Sequence, residues 1–338
     1  MGDPAGIGPE LCLHVLAYNG KEKHYTPVVF GNAAILRKVA QHTGLHFSAE
    51  IVDAQKWDGA CTGDAMIVNC DVSDISGIEP GKVSAACGAA SYEYIQNAVS
   101  AAQQGKVAGI VTAPIHKESL SLAGVPYPGH TEMLAALTGC RNFCMMMYAE
   151  EIKVCLVTTH LALSEAIAQI SSERIINVLK LGVNALRGAG NIGDVRVVVC
   201  GLNPHAGEHG LFGDEEGRII EPAVLRARAA GYNVTGPLAP DTAFVPGVRS
   251  QTDMYVVMYH DQGLIPFKML AFEHGVNVTL GLPIVRTSVG HGTAFDIAWQ
   301  GKASPASMLS ALNTALNLAE LQENQTLSES KSSEEEKL

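Results

Sequence analysis

Val154-Cys155-Leu156-Val157-Thr158-Thr159-His160 is a valine-rich apolar run that turns polar and ends on a histidine. It shows no alternation of apolar and polar residues, so it reads as a strand covered on both faces, as in a parallel sheet. The design recurs twice. Val197-Val198-Val199-Cys200-Gly201-Leu202-Asn203-Pro204 delivers His205, and Tyr255-Val256-Val257-Met258-Tyr259 delivers His260, followed by Asp261. Strands are therefore expected over residues 152–158, 195–202 and 254–259, with two more over 26–30 and 109–112. Helical segments lie between them. Residues 171–188 open on Ser-Ser-Glu, a good cap, and repeat Ile175, Val178, Leu179 and Leu186 on one face. Residues 222–231 run from a proline to a glycine, and a third helix starts at Pro305. Strands alternating with helices imply an α/β fold with right-handed crossovers.

The chain has 338 residues, 47% hydrophobic and 17% charged, enough apolar material for two domains or one large α/β unit. Its formal net charge of −11 argues against nucleic acid as a partner, which needs a basic face. No apolar run is long enough to cross a bilayer and no signal peptide is visible, so a cytoplasmic protein without a membrane partner is expected. The eight cysteines form no CxxC pair, which suits small buried hydrophobes. Cys140 and Cys144 are spaced like neighbours on a helix. The end, Ser332-Ser333-Glu334-Glu335-Glu336-Lys337-Leu338, reads as a solvated, disordered tail.

In open α/β sheets ligands bind beyond the carboxyl ends of the strands. Three imidazoles there, from His160, His205 and His260, would hold a divalent cation and leave a position open for substrate. One such histidine alone reads as an ordinary hydrogen-bonded loop residue; three at equivalent places favour metal. His14, His24, His42, His46, His209 and His274 show no such placement. Gly129-His130-Thr131-Glu132 follows Pro126-Tyr127-Pro128, with Thr131 expected to cap the next helix, whose N–H groups would suit an anion. Lys268 and Arg286 are lone cations in apolar stretches, where a buried cation wants either a substrate anion or a structural salt bridge. No GxGxxG or GxxxxGK[ST] fingerprint occurs.

Six motifs occur in order: Gly2-Asp3-Pro4-Ala5-Gly6-Ile7-Gly8-Pro9-Glu10, Thr112-Ala113-Pro114-Ile115-His116-Lys117, Gly129-His130-Thr131-Glu132, Asn203-Pro204-His205-Ala206-Gly207-Glu208, Pro240-Asp241-Thr242-Ala243-Phe244 and Tyr259-His260-Asp261-Gln262-Gly263. Together they resemble the 4-hydroxythreonine-4-phosphate dehydrogenase family of vitamin B6 biosynthesis, from Gly2 to about Ala319. The resemblance implies a fold like isocitrate and isopropylmalate dehydrogenases, with two α/β/α domains flanking a cleft and a site completed across a homodimer. The expected division is a cofactor-side domain (1–125 and 265–320), a metal and dimerisation domain (126–264) and a tail (321–338). It implies metal ligands His160, His205 and His260 drawn from both subunits, with zinc, magnesium or cobalt as the ion. Substrate contacts would be His130, Thr131, Lys268, Asn277 and Arg286. Lys268 or an aspartate-linked water would act as base, with Asp241 and Asp261 near the metal. NAD or NADP would lie against His291, Gly292, Thr293, Ala294 and Asp296, in a loop Gly290–Ala298 that replaces the usual fingerprint.

The implied reaction is oxidation and decarboxylation of 4-phosphohydroxy-L-threonine to 2-amino-3-oxo-4-phosphobutanoate. D-threonate or D-erythronate 4-phosphate are alternative substrates within the family. Outside it, a metal-dependent hydrolase or acyltransferase on a similar scaffold is a second reading, and a non-catalytic ligand-binding protein a third. One departure stands out: family members carry a strand ahead of the GDPAGIGPE turn, and no apolar run precedes it here. Either the chain is shortened or the fold tolerates the loss.

Overall fold

The computed structural model describes residues 1–18, 25–72 and 77–335, with 329–335 described by backbone alone. Two compact units result: Met1–Arg141 with Leu282–Ala315, and Asn142–Gly281 with Leu316–Leu338. Their borders fall at 141/142, 281/282 and 315/316, whereas the sequence suggested 125/126, 264/265 and 320/321. The reason lies in Val276–Leu280, a strand paired antiparallel with Cys144–Ala149, which keeps residues 265–281 with the second unit.

The strands are β1 (Val28–Gly31), β2 (Glu50–Asp53), β3 (Met66–Asn69), β4 (Gly109–Thr112), β5 (Cys144–Ala149), β6 (Ile152–Leu156), β7 (Val197–Cys200), β8 (Val234–Leu238), β9 (Met254–Val257), β10 (Val276–Leu280) and β11 (Val285–Ser288). In the first unit β1-β3-β2 form a parallel sheet, and β11 pairs parallel with β4. The second unit orders its strands β10-β5-β6-β9-β7-β8. Its β6, β9, β7 and β8 are parallel, and β5 and β10 add antiparallel partners. Every residue of β7 and β9 is buried, as unbroken valine runs require. The mixed α/β class expected from the sequence is what the chain adopts.

Helices form where the sequence places their starts. Ser171 caps Ser172–Leu186, its hydroxyl accepting from Arg174 N, and Ile175, Val178 and Leu179 are buried. Pro222 sits in the first turn of Glu221–Ala229. The opening turn feeds the Gly8–Ala17 helix through Pro9. Its start bridges two parts of the first unit, since Met1 N bonds Phe30 O (2.9 Å) and Asp3 N bonds Pro114 O (2.8 Å).

Two sequence expectations are corrected here. Cys140 and Cys144 do not share a helix: Cys140 follows the His130–Thr138 helix and Cys144 begins β5. Of the stretch expected as a disordered tail, residues 321–335 are helical, as part of Ala306–Glu335. After Pro305 this stretch has many leucine, alanine, glutamate and glutamine residues and neither glycine nor proline. Residues 336–338 and His24 lie outside the described set. All eight cysteines are free, and six of them are buried. No described helix is long and apolar enough to cross a membrane.

Candidate metal and substrate site

The carboxyl ends of β6 and β9 lie side by side and bring two of the three strand-end histidines together. The rings of His160 and His260 stand 5.6 Å apart between centroids. They border a cavity of about 290 Å³ with Thr159, Tyr259, Asp261 and Leu163. Asp261 Oδ1 accepts from His260 Nδ1 at 2.7 Å, which fixes the tautomer and leaves Nε2 free to ligate. This edge is tightly tied. Thr158 Oγ1 donates to Met258 O (2.7 Å). Gln262 Oε1 accepts from Met258 N (2.7 Å), and its Nε2 donates to Gly201 O (2.7 Å), linking the end of β9 to the end of β7. Gly263 lets the His260–Ala271 helix lie flat on the sheet, for a Cβ there would stand 2.6 Å from Val154 Cγ1. The glutamine and glycine of the Tyr259–Gly263 motif thus have structural tasks beside its histidine.

His205 is placed differently. It is exposed, and its ring neighbours Phe212 (6.1 Å). It opens a run of five left-handed residues, His205 to His209, with φ of 52°, 52°, 81°, 42° and 56°. Four of them are not glycine, at a cost of roughly 1–2 kcal/mol each that surrounding bonds must offset. Among the described residues no three His, Cys, Asp or Glu side chains of one chain gather closely enough for a metal ion. The His160–His260 pair, two nitrogen donors beside a carboxylate, fits part of a three-histidine centre. Asp241 is exposed in the short Pro240–Ala243 helix, which packs on the His205 turn.

The anion-binding candidates divide. Arg286 on β11 is 2% exposed and donates from Nη2 to Thr112 Oγ1 at 2.7 Å. Burial lowers its pKa to about 10, so it remains a cation at neutral pH. His130 Nε2 is buried and has no hydrogen-bond partner among the described residues. Burial first, and the Arg286 charge second, push the His130 pKa well below its ordinary value, so the ring is neutral. Thr131 does not cap its helix: Gly129 is the N-cap and the helix begins at His130. Glycine is a tolerated N-cap, and no side chain caps the amides that open this helix. Asn277 on β10 likewise buries an Oδ1 without a partner among the described residues. Lys268 is exposed, and so are Ile265, Met269 and Leu270 around it, so apolar neighbours in sequence do not bury this cation.

His291, Gly292 and Asp296 are exposed, with Thr293 and Ala294 half-buried. Ala294 is left-handed (φ 44°). Other motifs brace this loop. Ile7 N donates to Thr293 O (3.0 Å), Trp299 Nε1 donates to Pro4 O (3.0 Å), and His116 stacks on Phe295 at 4.6 Å. No role for His116 or Glu216 is legible in the sequence. Glu216 accepts from Leu202 N and Asn203 N (2.7 Å each), yet nothing in its local sequence signals that.

Fold and site define an α/β protein that gathers histidines at the carboxyl edge of a parallel sheet and keeps buried polar groups suited to an anion. The chain belongs to the PdxA family, described as pyridoxal phosphate biosynthetic protein PdxA, which matches residues 23–315. It is 44% identical over 321 residues to the D-threonate 4-phosphate dehydrogenase of Salmonella typhimurium strain LT2, covering 94% of this chain and 97% of that one. It is 41% identical to the 4-hydroxythreonine-4-phosphate dehydrogenase of Desulforapulum autotrophicum, covering 93% of each. Among solved structures it is similar to a 4-hydroxythreonine-4-phosphate dehydrogenase from Klebsiella pneumoniae, with a TM-score of 0.85, 43% identity and coverage of 95% and 96%.

Proposed function

We propose that this chain is a nicotinamide- and divalent-metal-dependent dehydrogenase of a four-carbon hydroxy acid 4-phosphate, with 4-phosphohydroxy-L-threonine as substrate, working as a homodimer. The carrying observation is the His160–His260 pair at the ends of β6 and β9, with Asp261 fixing one ring. In this reading the partner subunit's His205 completes the metal site. Its support is the exposed apolar surface of the second unit: Ile265 and Met269 on the His260–Ala271 helix and Phe272 at its C-cap are 59%, 81% and 77% exposed, and Leu211 beside the His205 turn is 73% exposed. Such a face suits an interface.

A cation held by His160, His260 and the partner's His205 would supply Lewis acidity toward the substrate hydroxyl, and a nicotinamide would supply the hydride acceptor. This chain's own residues do the rest. Arg286, Thr131 and the N–H groups opening the His130–Thr138 helix hold the anionic end of the substrate, and Asn277 offers its Oδ1 to a donor group of the substrate. His130, kept neutral, offers one hydrogen bond without adding charge. Either Lys268 or a water linked to an aspartate takes the hydroxyl proton, and Asp241 and Asp261 stand near the histidines. His291, Gly292, Thr293, Ala294 and Asp296 hold the adenine side of the dinucleotide.

A second substrate reading, D-threonate 4-phosphate, is supported by relatives of that name at 42–44% identity, a range that overlaps the 41–43% of those named after hydroxythreonine. Hydrolase and acyltransferase readings are set aside, because these relatives, matched over 93–94% of the chain, are named dehydrogenases. The test is nicotinamide reduction followed by absorbance with both substrates in parallel. Chelator-sensitive reduction is the expected result, and the faster substrate names the specificity. A folded protein that reduces neither NAD nor NADP with either substrate overturns the proposal.

A further inference from the structure

We propose that Glu216 is the positioning residue of the His205 loop, a buried carboxylate clamp that holds the left-handed turn in its ligating shape. The inference rests on His205 being a metal ligand, as proposed above. Glu216 is 5% exposed and opens a single turn of π-helix, Glu216–Ile220. Single π turns recur at functional sites. Its Oε1 accepts from the N–H of Leu202 and of Asn203, both at 2.7 Å, and its Oε2 accepts from Asn203 Nδ2 at 2.9 Å. The same Asn203 Nδ2 also reaches Glu215 Oε2 at 2.7 Å. These donors belong to the two residues just before Pro204-His205, at the point where β7 has ended and the backbone reverses hand. Farther along, Gly207 (φ +81°) folds back onto the clamp, where a Cβ would meet Glu216 Oε2 at 2.7 Å.

Both carboxylate oxygens are taken up by these donors, so Glu216 acts through His205 and is not itself a ligand. Burial works to raise its pKa, but the bonds from Asn203 and Leu202 outweigh it and hold the carboxyl below its ordinary value. The clamp is therefore charged throughout the neutral range. Four non-glycine residues in left-handed backbone do not hold that shape unaided. Released from the carboxylate, the turn relaxes and the imidazole loses its preset position.

The test is metal binding by the full-length protein stripped with chelator. Cobalt(II) is titrated against a chromophoric competitor while its visible spectrum is recorded, and melting in chelator is measured separately. Glu216→Gln keeps the volume and one acceptor oxygen but sets an amide NH₂ against Asn203 Nδ2. It is expected to bind cobalt about 10–100-fold more weakly, with an altered spectrum, while melting in chelator close to wild type. His205→Ala is run beside it. If His205→Ala loses affinity and folded Glu216→Gln binds within about threefold of wild type, the clamp is wrong and the ligand assignment stands. If His205→Ala itself leaves binding within that range, the ligand assignment has failed, and the clamp with it. Should Glu216→Gln not fold, Asn203→Ala decides: it removes one arm and keeps the carboxylate. A loss of roughly three- to tenfold supports the clamp, and unchanged binding overturns it.

Discussion

His130 combines burial with a nearby cation, and that makes its charge state testable. Burial and Arg286 depress its folded-state pKa. Below about pH 6.5 the unfolded chain therefore takes up a proton that the native state refuses. The penalty is absent above that value and grows as pH falls toward the native pKa. His130→Gln is expected to flatten the loss of stability between pH 6.5 and 5 by up to one proton, about 1.4 kcal/mol per pH unit, as read by urea denaturation. An unchanged slope would mean that the native ring is protonated. Asp261→Ala frees the His260 ring and is expected to cost about 10–100-fold in metal affinity, measured by competition titration. At this scale the sequence was informative where a residue type is rare in its setting. Three histidines ending apolar runs pointed to the sheet edge, and Arg286 in an apolar stretch is indeed buried. Lys268 had the same setting and is exposed, because it shares the outer face of its helix with Ile265 and Met269 while Leu264, Phe267 and Ala271 take the buried face. Glu216 was illegible, since its partners Leu202 and Asn203 lie in another element and only folding brings them together.

Elements were legible where burial on two faces leaves one pattern. All five strands expected from apolar runs formed, each within a few residues of the expected place. The pattern said nothing of β2, where Glu50 and Ile51 are exposed, or of the left-handed turn, which uses four residues that usually avoid that conformation. Thr131 misled because Thr is a common cap, whereas the helix starts one residue earlier behind Gly129. Contact between the His260–Ala271 helix and the sheet depends on Gly263. Gly263→Ala forces a methyl against Val154 and Val257 and is expected to destabilise by about 1–3 kcal/mol in denaturant titration. A loss below about 0.5 kcal/mol would show that these valines yield easily.

At the scale of the whole molecule, the division into a unit with β1–β4 and β11 and a unit with β5–β10 was legible only roughly, since β10 pairs with a strand far away in sequence. The proposed dimer rests on two facts that no single chain reconciles. His205 does not gather with His160 and His260 among the described residues, and the helix that begins at His260 exposes an apolar face. A shared site makes a definite demand on mixed subunits. His160→Ala and His205→Ala, each inactive alone, are co-expressed so that heterodimers form. Chelator-sensitive nicotinamide reduction is then measured. A shared site leaves one intact centre in each heterodimer, so the mixture should recover about a quarter of wild-type activity under random pairing. Heterodimers that form and recover nothing, beside an active wild type, would contradict the shared three-histidine centre.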